Sequence, residues 1–124
     1  MDVEILLVSA EWKLRIAVRA QLIEEGFEVE AHEVWEFVEL LLRSGARHPR
    51  LIIIDVAEEH HPSALLRTLA RLAAPAHVLV LTAPSVQSAD EVRALGFPHV
   101  LARPFSVREV VATAAHLLAA APGV

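Results

Sequence analysis

The chain has 124 residues, 55% of them hydrophobic and 22% charged, which suits one domain with its own core and excludes disorder. It has no cysteine, so a disulfide framework and a thiolate zinc site are excluded. A net charge of −5 argues against a broad basic face for nucleic acid, and no run of about 18 uncharged apolar residues offers a membrane span.

Met1-Asp2-Val3-Glu4 lacks the basic start of a secretory signal, so the expectation is a single cytoplasmic domain over 1–124. Val3–Val8 is a short apolar run and reads as a buried strand. From Glu11 to Glu25 the spacing turns helical, with Leu14, Val18 and Leu22 four apart, Ile23 beside the last, and Gly26 as the stop. Phe27–His32 alternates with period two, as a half-covered strand does. Val34, Phe37, Val38 and Leu41 carry a second helix up to Gly45, with Trp35 on a mixed stripe beside Glu39 and Leu42. Trp35 there is either an exposed interface anchor or a ring lying flat on its own helix. Leu51-Ile52-Ile53-Ile54 followed by Asp55 is the clearest strand, β-branched and fit for a sheet covered on both faces.

After Pro62, Leu65, Leu66, Leu69 and Leu72 predict a third helix that stops near Pro75. His77–Thr82 is a fourth strand, Ser88–Leu95 a short polar helix ending at Gly96, and His99–Ala102 a fifth strand. Ser106 with Glu109 three residues on forms a capping box for the last helix, whose core face is Val107, Val110, Val111, Ala114, Leu117 and Leu118. Ala120–Val124 is expected to fray. Five strand–helix pairs imply a parallel sheet with helices on both faces, because right-handed crossovers place them there.

Ligands of such sheets sit beyond the carboxyl ends of the strands. Those ends hold Ser9-Ala10-Glu11, Asp55, Thr82-Ala83 and Arg103-Pro104-Phe105. An apolar strand ending in Asp, one ending in Thr-Ala and one followed by a basic residue, Pro and Phe resemble the receiver domain of two-component response regulators. The resemblance covers the whole chain, including the Leu95-Gly96 step. Each motif alone is weak; their order and spacing together are specific.

The resemblance implies a flavodoxin-like α/β sandwich of three layers, with five parallel strands in the order 2-1-3-4-5 and five helices. It also implies a phosphorylation switch. Asp55 stands at the phospho-acceptor place, Thr82 at the hydroxyl that bonds the phosphoryl oxygens, and Arg103 where the family has a lysine. Arg103-Pro104 is a candidate cis peptide.

The departures matter more. The family's two magnesium-holding acidic residues are Ser9 and Ala10 here, with only Glu11 one position later. Magnesium is normally anchored by one or two carboxylates, so Asp55 would need Glu11 or Glu58 through water. Arg103 is planar and bidentate, unlike lysine, and can form a permanent ion pair with Asp55. Val100 replaces an aromatic that moves on activation, and a small β-branched side chain has no comparable swing. The loop Val56–Pro62 lacks the family's hydrophobic-Pro pair and Gly. Such chains are called pseudo-receivers.

The expected function is thus a stand-alone pseudo-receiver in bacterial signalling, an interaction module with no cofactor and no enzymatic activity of its own. Its predicted contact face is Arg108, Ala112, Ala115, His116 and Ala119 on the last helix, meeting a protein partner or a second copy through the fourth helix, fifth strand and last helix. One alternative is a receiver phosphorylated on Asp55 by a histidine kinase, with magnesium. Another is a metal binder or small enzyme using Glu58, Glu59, His60 and His61, against which stands the rarity of adjacent loop residues pointing at one ion. Asp55 also has a plain reading as a strand-end carboxylate capping backbone amides, and Thr82 one as a strand-end hydroxyl bonded to backbone. Trp12, just after the degenerate acidic place, is expected to fill space beside it. No nucleophile elbow and no phosphate-cradling glycine loop occurs.

Overall fold

The computed structural model describes residues 3–119; Ala120–Val124, expected to fray, lie outside them. Strands β1 (Ile5–Val8), β2 (Val29–His32), β3 (Leu51–Asp55), β4 (His77–Thr82) and β5 (Val100–Ala102) alternate with helices α1 (Trp12–Glu24), α2 (Trp35–Arg43), α3 (Pro62–Leu72), α4 (Ala89–Ala94) and α5 (Val107–Ala119). The sheet is parallel throughout, in the order β2-β1-β3-β4-β5. The flavodoxin-like topology expected from the sequence is therefore the observed one. β1, β2 and β5 are shorter at their starts than the apolar runs suggested.

Period-two alternation along each strand splits the core in two. Ile5, Leu7, Ile53, Leu79 and Leu81 face α1 and α5, where Val18, Leu22, Val110, Ala114 and Leu117 meet them. Leu6, Val8, Ile52, Ile54 and Val80 face α2, α3 and α4, against Trp35, Val38, Leu66, Leu69 and Val92. Every residue of β3 is buried, and each such aliphatic side chain contributes roughly 1.5–3 kcal/mol of transfer free energy.

Helix α2 differs from the sequence expectation in phase. Trp35 is buried in the core, so it is neither an interface anchor nor a ring lying on its helix surface. Val34 is the extended N-cap residue rather than a helical one, which rotates the buried stripe and leaves Val34 and Phe37 half exposed. Ile23 on α1 is exposed as well.

Two capping boxes fix the helices that flank β5. Ser106 Oγ accepts from Glu109 N while Glu109 Oε1 accepts from Ser106 N, as the sequence predicts. Ser88 and Glu91 repeat the arrangement at α4, where the cap residue itself lies outside the helix. α1 ends at Gly26, whose φ of +97° is strained for any other residue and lets Phe27 N reach back to Leu22 O.

Candidate functional site

The parallel register places the carboxyl ends of β1, β3, β4 and β5 side by side, and with them Ser9, Asp55, Thr82 and Arg103. Asp55 is 5% exposed at the end of β3. The Arg103–Pro104 peptide is cis, and so is Ala74–Pro75.

Arg103 points inward and grips Asp55 with both terminal nitrogens. Nη1 donates to Oδ1 at 3.1 Å and Nη2 to Oδ2 at 2.8 Å, the bidentate geometry that a guanidinium allows and an ammonium does not. Nη2 also donates to Glu11 Oε2 at 3.0 Å, and Nη1 to Thr82 O at 3.3 Å. The cation lies 4.9 Å from the centroid of the Phe105 ring. Burial acts to lower the Arg103 pKa, but the hydrogen bonds and charges of Asp55, then Glu11, outweigh it and raise it. The site therefore holds a fixed positive charge between two carboxylates.

The other lone pairs of Asp55 are taken too. Ser9 Oγ donates to Oδ2 at 2.8 Å and Ala57 N to Oδ1 at 3.1 Å. An ionised carboxylate offers about four acceptor positions, and all four have donors here. Ser9 is fully buried; its hydroxyl also accepts from Glu11 N, and its carbonyl accepts from Arg15 Nη1 at 2.7 Å. Ala10 is exposed and brings no oxygen beyond its backbone.

Thr82 is buried and near, but its hydroxyl donates to Gln87 O at 2.8 Å, following the plainer of its two readings. Gln87 was not foreseen. It is 2% exposed, its Nε2 donates to Ser63 Oγ on α3 at 2.7 Å, and its Oε1 has no partner among the described residues. These bonds tie the loop after β4 to the start of α3. Only its place just before the Ser88 cap hinted at it.

Other expected site residues fall elsewhere. Val100 is half-buried against the α2–α4 side of the core. Trp12 is 59% exposed, with Lys13 Nζ at 5.8 Å from its ring, and fills no space at the site. Glu58, His60 and His61 are exposed and Glu59 half-buried. Among the described residues no group of three or more His, Cys, Asp or Glu side chains is placed to hold a metal ion, so the 58–61 loop does not converge as its alternative requires. Burial pushes the Glu59 carboxyl up, with Glu36 nearby adding to the shift. On α5, Arg108, Ala112, His116 and Ala119 are exposed and Ala115 is half-buried. Among the described residues no helix is long and apolar enough to cross a membrane.

No protein-family model matches the chain, and no curated protein does. Its similarity lies in solved structures. The receiver domain of NtrX from Brucella abortus aligns with a TM-score of 0.78 at 21% identity, over 94% of this chain and 99% of that one. A response regulator from Thermotoga maritima gives 0.77 at 18%, over 97% and 100%. The orphan response regulator HP1043 of H. pylori gives 0.75 at 19%, over 92% and 94%. The chain thus has the fold of response-regulator receiver domains. The arginine-filled strand ends described above are what that fold carries in this molecule.

Proposed function

We propose that this chain is a receiver-fold interaction module of bacterial signal transduction whose phospho-acceptor position is held closed by Arg103, so that it works without metal-dependent phosphoryl transfer. The observation that carries this reading is the saturated carboxylate of Asp55, with four donors from Ser9, Ala57 and Arg103. An incoming phosphoryl group needs one of those oxygens free.

The residues present do not fit a magnesium ion. Magnesium demands oxygen ligands in near-octahedral array. Ser9 turns its hydroxyl hydrogen to Asp55, Ala10 supplies no side-chain oxygen, and Glu11 is engaged by Arg103. A cation bound to Asp55 would face a guanidinium nitrogen 2.8 Å from its own ligand atom. No catalytic step is therefore assigned to this site.

The signal would pass to a protein partner or a second copy in the cytoplasm, through α4, β5 and the outer face of α5, where small exposed residues permit close helix approach. The test is an amide NMR titration with magnesium and then with beryllofluoride, which stands in for a phosphoryl group on aspartate. The expected spectrum does not change. Saturable shifts around Asp55, Thr82 and Arg103 that vanish in Asp55→Ala overturn the reading and establish a working phospho-acceptor.

A further inference from the structure

At the opposite end of the sheet, beneath the starts of β3 and β4, lies a cavity of about 410 Å³. This is within the size range of small-molecule sites, roughly 300–1,000 Å³. Its walls are apolar: Leu42, Leu72, Ala73 and Pro75 among them. Its polar side chains are Arg47, His48, Arg50 and His77, with no carboxylate among the described residues that line it. A chain of net charge −5 thus places two arginines and two histidines around this hollow.

The two guanidiniums are held in place by carboxylates behind them. Arg47 Nε donates to Glu30 at 3.0 Å and Arg50 Nη1 to Glu4 at 3.3 Å. Arg47 Nη1 also donates to Ala46 O, and Arg50 Nη2 to Leu118 O of α5 at 2.8 Å. A guanidinium has five donors, so an anion can join these pairs without displacing them. The two glutamates offset the two arginines, which favours a singly charged group over a dianion.

We infer that this cavity is a binding site for a small organic carboxylate, its apolar body between α2 and α3 and its carboxylate on Arg47 and Arg50. Occupancy would also be felt at α5, because Arg50 reaches both the cavity and Leu118 O. The site is independent of Asp55.

The probes are naphthoate and its neutral counterpart naphthamide, titrated against the labelled chain and read by amide NMR. Naphthoate should shift Arg47, Arg50, Ala73 and His77 to saturation, and naphthamide should bind roughly tenfold more weakly or worse, the loss of a charge-assisted bond. Arg50→Ala risks the fold through its tie to α5, so the test variant is Arg47→Gln, with a dispersed spectrum as proof of folding. In that variant the preference for naphthoate should disappear. Absence of saturable shifts here, equal affinity of the two probes, or a preference that survives in folded Arg47→Gln overturns the inference.

Discussion

Replacing Arg103 with alanine exposes how much the closed site contributes. The change strips Asp55 of two donors while leaving those of Ser9 and Ala57. Breaking a fully buried ion pair from one side costs about 3–5 kcal/mol, because the orphaned charge stays buried. Asp55 is nearly sealed, with a side chain 2% exposed, but that of Arg103 is 25% exposed, and two donors remain. The expected loss is therefore nearer 2–3 kcal/mol, or a melting temperature lower by about 10 °C for a domain of this size. Urea denaturation of Arg103→Ala, Asp55→Asn and the double variant makes a cycle. Asparagine keeps the shape and removes the charge, so the double variant should recover about 1.5 kcal/mol relative to the sum of the two single losses. A loss below about 1 kcal/mol for Arg103→Ala, with additive single losses, refutes the view that this pair holds the site closed.

Thr82→Val keeps the volume and deletes the bond to Gln87 O, leaving a buried carbonyl without its donor; the expected loss is about 1–2 kcal/mol in the same assay, and an unchanged midpoint removes Thr82 as a brace of the loop. Burial and then Glu36 raise the folded-state pKa of Glu59, so the fold favours its neutral form. That contribution is complete below the unfolded value near 4.5 and is lost as pH rises through the folded one, so Glu59→Gln should be more stable than the parent at pH 7 and equal to it below about pH 4. Denaturation midpoints across that range check the sign. If α5 pairs with a second copy, Ala112→Arg should turn a dimer into a monomer in sedimentation equilibrium while leaving the circular dichroism intact; a surviving dimer rejects this face as the contact.

The architecture was legible in the sequence because β2 alternates with period two while the other strands are short, mostly apolar runs, and a buried parallel sheet leaves little else for Leu51–Ile54 to be. The order of the strand ends followed from topology, which put Asp55, Thr82 and Arg103 at one end before any contact was known. Phase within α2 was not legible. Most of its positions are apolar, so Val34-Phe37-Val38 and Trp35-Val38-Leu42 are equally good stripes, and only the extended backbone of Val34 decides between them. The role of Ser9 was half legible: its position is where the resembled family carries an acid, but that its hydroxyl would donate to Asp55 depends on a rotamer. Gln87 was barely legible, because one of its bonds uses a backbone carbonyl, which every residue has, and the other reaches a serine 24 residues away.

An arginine does not lose its proton at any pH a cell reaches. Arg103 thus keeps its charge and, with its bonds to Asp55 in place, the site has one setting. A component with one setting carries no message in its chemistry at that point; what varies is how many copies stand ready. On the function proposed above, the control point of the chain would move to synthesis and turnover, where a stability change of about 1–2 kcal/mol alters abundance several-fold. Mutations scattered through the buried strands, far from any surface a partner touches, would then act as dose adjustments to the signal.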